Sequence, residues 1–180
     1  MTIINNRLTD ATWVASPNFD ERPDSSDISL IVIHCISLPP GQFGNAYIDQ
    51  LFTNKLNPSD HAYFKEVHHL RVSSHLLIKR CGQIMQYVPF DKRAWHAGKS
   101  SYQGREKCND FSIGIELEGT EWVDYTEVQY EQLAKVINAL LQTYPKLSTQ
   151  AITGHSNIAP ERKTDPGPSF DWAKFITLLN

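Results

Sequence analysis

The sequence predicts an α/β fold: a single domain with a mixed central β-sheet flanked by helices. Three observations carry that expectation. The stretch 28–36 (ISLIVIHCI) is a nearly continuous β-branched run, as a strand covered on both faces requires. The stretch 126–144 places apolar residues at Tyr130, Leu133, Ala134, Ile137, Leu140, Leu141 and Tyr144, the spacing of a helix with one buried face. Two short apolar runs flank Arg80-Cys81-Gly82, a hairpin signal, so an antiparallel pair joins strands that are otherwise separated by helices. At 180 residues the chain suits one compact domain, 1–180 with its core over about 13–179, large enough to bury most of its apolar surface without staples.

In chain order, the first strand is 28–36, with His34 near its end. A helix candidate follows at 45–53. The hairpin pairs 75–79 with 83–88. Phe111 to Leu117 (FSIGIEL) alternates and ends at Glu118-Gly119, the pattern of another strand. The helix over 126–144 opens on a capping box, Thr126 with Gln129 three residues on, and Pro145 stops it. A short strand is expected at 151–155. A last helix, 170–179, turns Phe170, Trp172, Phe175 and Ile176 inward.

Bulk properties exclude several classes. A net charge of -3, with no run of Lys or Arg interleaved with aromatics, argues against a nucleic-acid surface. The first residues lack the layout of a secretory signal, and no stretch approaches the roughly 20 apolar residues that span a bilayer. Three cysteines, an odd number without CxxC spacing, suit reduced thiols. The expectation is a cytoplasmic monomer with a small-molecule substrate.

The segment 154–168 concentrates chemistry: one His, carboxylates and cations in an irregular, proline-rich loop. Zinc catalysis needs three His, Asp, Glu or Cys ligands and an open fourth position. His34 and His155 at strand ends and Asp165 in the loop could supply them. Bland readings stand beside this one: a hydrogen-bonded core histidine at 34, a turn residue at 155, an Asx turn before Pro166 at 165. Lys163, two residues from Asp165, shifts the weight toward a site. So does Glu116 in an otherwise apolar strand, because an unpaired carboxylate there costs several kcal/mol to bury (about 2–7 for a polar group, more for a charge).

Five segments together carry a resemblance: His34–Gly41, Arg71–His75, Tyr87–Gly98, Asn109–Gly119 and Gly154–Pro168. They resemble the zinc-dependent N-acetylmuramoyl-L-alanine amidases, in particular the cytoplasmic 1,6-anhydro-muropeptide amidases of Gram-negative bacteria. The family is shared with phage lysozyme-type amidases and peptidoglycan recognition proteins. The similarity runs from about Trp13 to Trp172. It implies one zinc per chain on His34, His155 and Asp165, Glu116 as general base, and Lys163 stabilising the oxyanion. It also implies cleavage between the lactyl group of anhydro-muramic acid and L-alanine of the stem peptide, in muropeptide recycling.

Such a substrate needs an aromatic platform, which Trp95 can supply, and cations for peptide carboxylates, which Arg71, Lys107 and Arg162 can supply. His96 is a further pocket candidate. Two positions depart from the family pattern. Cys35 stands where Asn commonly helps hold the sugar, and a thiol is a weak donor and acceptor. Lys107 stands where Arg is frequent, exchanging a planar fork for a point charge. His68, His69 and His75 cluster in a way that could suggest a second metal site but read first as fold support or hydrogen bonding near the cleft, His61 as exposed, and Glu118 and Glu161 as structural or peripheral. The rival readings are an amidase of polymeric cell wall and a non-catalytic muropeptide-binding module.

Overall fold

The computed structural model describes residues 1–179. In chain order the strands are β1 (Ile3–Ile4), β2 (Arg7–Leu8), β3 (Thr12–Trp13), β4 (Phe19–Glu21), β5 (Leu30–Ile36), β6 (Leu76–Ile78), β7 (Ile84–Gln86), β8 (Lys92–Ala94), β9 (Ser101–Tyr102), β10 (Arg105–Glu106), β11 (Ser112–Glu118) and β12 (Ile152–Gly154). The helices are α1 (Tyr47–Phe52), α2 (Phe64–Val67), α3 (Glu127–Thr143), α4 (His155–Ile158) and α5 (Trp172–Leu178). The central sheet has the order β12-β5-β11-β6-β7-β3. β12, β5, β11 and β6 run parallel, β6 and β7 form the antiparallel hairpin, and β3 adds parallel at the edge. The mixed sheet is therefore as expected.

Alternation along the two central strands divides the interior. Ile31 and Ile33 of β5, and Ile113, Ile115 and Leu117 of β11, pack with Leu133, Val136, Ile137 and Leu140 of α3 and Phe175 of α5. Toward the opposite face lie a cluster around α1 and α2 (Ile48, Leu51, Phe52, Phe64 with Leu77, Met85, Tyr87) and a smaller one holding Leu30, Val32, Cys108 and Ile158. Between those two clusters the strand residues are polar, and that gap becomes the functional site.

The capping box forms as read: Thr126 Oγ1 accepts from the Gln129 N–H at 3.3 Å, and the Thr126 N–H donates to Gln129 Oε1 at 3.1 Å. Gln129 also donates from Nε2 to the carbonyls of Ile78 and Glu118, pinning the helix start to two strand ends. Glu118 is fully buried and structural, accepting the backbone N–H groups of Gly44 (2.6 Å) and Arg80 (3.0 Å).

Some expectations need correction. The last helix begins at Trp172, because Asp171 accepts the Lys174 N–H and acts as N-cap; Phe170 is buried ahead of it, while Ile176 faces outward at 55 % exposure. The short strand ends at Gly154, and His155 opens α4. His61 is half-buried against Phe64. The N-terminal hairpin β1–β2 was not foreseen. Asn5 and Asn6 turn it with φ of 50° and 59°, a left-handed pair that Asn tolerates.

A buried polar node stiffens the floor of the site. The Arg22 guanidinium donates to the carbonyls of Phe90, Asn109, Asp110 and Ser112. His75 Nδ1 accepts the Gly114 N–H at 3.0 Å, so its proton sits on Nε2, 3.0 Å from the Lys92 carbonyl. Burial, and then the Arg22 charge, push His75 from 6.5 down to about 3. Unfolded, this imidazole takes a proton below 6.5; folded, it stays neutral to about 3. Unfolding thus binds a proton in that window, and stability falls as pH drops from 6.5 toward 3. His75→Gln is expected to flatten the slope of unfolding free energy between pH 6 and 4 by up to about 1.4 kcal/mol per pH unit. Urea melts across that range measure it, and an unchanged slope would assign the acid sensitivity to other groups.

Candidate metal centre and active site

Parallel pairing brings the chemistry to one end of the sheet. Glu116 lies in register with His34, and Gly154 with Ile33, so His155 emerges beside His34 one residue further on. On β11 the residues Ser112, Gly114 and Glu116 alternate with the apolar Ile113, Ile115 and Leu117, away from α3. The loop beyond α4 then folds back. The Ser156 N–H donates to the Asp165 carbonyl at 2.9 Å, and the Tyr125 hydroxyl donates to the Pro166 carbonyl at 2.8 Å. Pro166 lies so close to Gly154 that a Cβ there would meet its Cδ at 2.8 Å. These contacts, with the prolines, set Asp165 against the two histidines.

The three donor atoms form a nearly equilateral triangle. His34 Nδ1 and His155 Nδ1 are 3.0 Å apart, and Asp165 Oδ2 is 3.1 Å from the first and 3.2 Å from the second. All three residues are buried. Tetrahedral zinc, with bonds of about 2.0–2.1 Å to N and O, spaces neighbouring donors about 3.3 Å apart, so the triangle fits that ion. The outer nitrogens agree: His155 Nε2 points at the Ala97 carbonyl, 3.1 Å away, and His34 Nε2 at His96 Nδ1, 2.9 Å away. With the protons there, both Nδ1 lone pairs face the centre. Burial holds His34 down at about 4, so the imidazole is neutral and able to ligate. Burial raises the Asp165 carboxyl, but hydrogen bonds with His155 and His34 outweigh it and hold the group well below the usual carboxylate range. The cluster is poised to coordinate a metal ion.

The triangle opens on a cavity of about 470 Å³ lined by His34, Glu116, His155, Lys163 and Asp165 on one side. Leu38, Leu51, Phe52, Tyr63, Val67 and Leu70 form its apolar wall. Glu116 is 8 % exposed and its Oε2 is buried without a protein partner. Burial, then the Asp165 charge, raise its carboxyl well above the ordinary range, against a lowering by Lys163. A lone carboxylate of raised basicity beside a metal triangle is suited to move protons. Lys163 reaches the cavity from the rim, its backbone N–H tied to the Ala159 carbonyl at 2.9 Å.

The remaining candidates scatter. Trp95 and His96 line the cavity, and the Trp95 indole N–H donates to Asp20 at 3.2 Å. Cys35 lines it too but packs toward the α3-side core, and burial pushes its thiol up to about 12, so no thiolate is present to act as nucleophile. Arg71 and Lys107 are exposed and lie outside the cavity lining. Arg162 spends its guanidinium on the carbonyls of Ala97 (2.6 Å) and Lys99 (2.8 Å), not on the cavity. Trp122 escaped the sequence reading: it is 77 % exposed on the cavity rim, and the signal was an apolar pair, Trp122-Val123, set between Glu121 and Asp124.

Residues 24–168 match the family model described as N-acetylmuramoyl-L-alanine amidase. The chain belongs to the N-acetylmuramoyl-L-alanine amidase family. This amidase is 63 % identical over 172 residues, 96 % of its own length and 91 % of the relative's, to the 1,6-anhydro-N-acetylmuramyl-L-alanine amidase AmpD of Citrobacter freundii. A crystal structure of a selenomethionine AmpD derivative superposes with a TM-score of 0.97 at 61 % identity, covering 100 % of both chains. The amidase also resembles AmiD of Escherichia coli, solved in complex with the substrate anhydro-N-acetylmuramic acid-L-Ala-D-gamma-Glu-L-Lys, with a TM-score of 0.61 at 27 % identity over 96 % of this chain and 60 % of that one.

Proposed function

We propose that this amidase hydrolyses the amide between the lactyl group of 1,6-anhydro-N-acetylmuramic acid and the first L-alanine of the stem peptide, with His34, His155 and Asp165 as zinc ligands, Glu116 as general base and acid, and Lys163 as the oxyanion cation. The observation that carries the reading is the donor triangle facing one cavity with the partnerless Glu116 oxygen at its side. Bound zinc supplies a low-pKa water, about 7 instead of 15.7, and polarises the scissile carbonyl.

The chain's own groups do the rest. Glu116 accepts the proton of the attacking water at its free oxygen and returns it to the departing alanine nitrogen, leaving a lactyl carboxylic acid and a free peptide amine. Its raised basicity favours the first transfer. Lys163 places its charge where the carbonyl oxygen becomes negative, in a partly dry pocket where such charge counts most. The apolar wall takes the sugar and lactyl faces, and Trp95 offers a ring for stacking. The substrate is a small molecule; the chain forms one catalytic domain and acts in the cytoplasm, in recycling of cell-wall fragments. Among the described residues no helix is long and apolar enough to cross a membrane.

Incubation with soluble anhydro-muropeptide and, separately, with intact sacculi tests the substrate class. Rapid peptide release from the soluble fragment and little from sacculi is expected. Preference for sacculi would make the protein a wall-degrading amidase, and binding without release would make it a recognition module.

A further inference from the structure

We infer that the dipeptide His96-Ala97 is a shared bracket that sets the tautomers of both metal-binding histidines, with His96 acting as a positioning residue for His34 and not as a substrate contact. The inference rests on the ligand set proposed above. For His34 to present Nδ1 to the metal, its proton must be on Nε2. That atom lies 2.9 Å from His96 Nδ1, which must therefore accept. The His96 proton is then on Nε2, where Ser112 Oγ accepts it at 3.1 Å. The opposite tautomer of His96 would set N–H against N–H at 2.9 Å. One residue along, the Ala97 carbonyl accepts from His155 Nε2 at 3.1 Å and fixes the second ligand the same way.

Several groups hold the bracket itself. Asn109 Oδ1 accepts both backbone N–H groups, His96 at 3.2 Å and Ala97 at 2.8 Å. Arg162 donates to the Ala97 carbonyl at 2.6 Å, which gives this loop cation a place in the centre's support. Gly114 makes room for the imidazole: a Cβ there would meet His96 Cγ at 2.5 Å and Nδ1 at 2.7 Å. Outer partners of this kind fix ring orientation, and their loss costs about 10–100-fold in metal affinity.

Zinc dissociation constants from chelator competition, on His96→Leu, His96→Asn and His34→Ala, test the inference. Asn can place its amide oxygen where Nδ1 stood, whereas Leu offers no acceptor. His96→Leu is expected to weaken zinc binding about 10–100-fold, and His96→Asn to recover most of it. Wild-type affinity in His96→Leu, or equal weakness in both variants, would overturn the bracket. Full affinity in His34→Ala would instead remove the ligand set beneath it. Should His96→Leu fail to fold, nitrogen-15 spectra of the zinc-loaded wild-type protein decide: a proton on His96 Nε2 is expected, and a proton on Nδ1 would overturn the inference.

Discussion

Replacing Glu116 with Gln is expected to leave zinc bound and to lower turnover about 10²–10⁴-fold, the usual contribution of a positioned acid–base group. The amide is nearly isosteric and Glu116 is no member of the donor triangle, so the metal site should be intact. Unlike the carboxylate, the amide cannot accept the water proton, and the buried Oε2 has no hydrogen-bond partner in the protein through which the proton could pass instead. Steady-state kinetics paired with zinc analysis separate the two effects. A near-normal rate in a zinc-loaded variant would place the base elsewhere.

Asp165→Ala should act at the other level, on the metal. Removing the carboxylate corner leaves only two imidazole nitrogens, 3.0 Å apart. The loss of zinc affinity should exceed the roughly 10–100-fold that follows removal of an outer partner, and peptide release should fall with it. Because the Asp165 backbone also accepts from Ser156, the loop path should survive the side-chain deletion. Chelator competition gives the affinity, and circular dichroism of the metal-free variant confirms the fold. Retention of wild-type zinc affinity would take Asp165 out of the ligand set.

Long elements were legible in the sequence, and so were α1, the hairpin β6–β7 and β12, but the peripheral strand pairs were not. β5, β11 and α3 carry enough residues for a period of two or 3.6 to show, and each lies where the apolar pattern puts it. The pairs β1–β2, β4–β8 and β9–β10 span only two or three residues per strand, too few for any period. Their stability comes from contacts distant in sequence, such as Gln86 bonding Leu8 and Asn6, or Arg93 bonding Asp20 and Asp110. At the site, the triangle members were nameable because titratable residues broke apolar runs or crowded a proline-rich loop. The outer support was hidden. His96 lines the cavity as read, but its bond to His34, like that of Arg162 to the Ala97 carbonyl, did not show, because nothing in the chain's order reveals which carbonyl or imidazole nitrogen will lie across from them.

The most direct measurement is peptide release from anhydro-muropeptide by protein of known zinc content, before chelation, after it, and after zinc is restored. About one zinc per chain is expected, with activity abolished on removal and regained on reloading. Full activity in the metal-free protein would contradict the zinc amidase chemistry assigned to His34, His155 and Asp165.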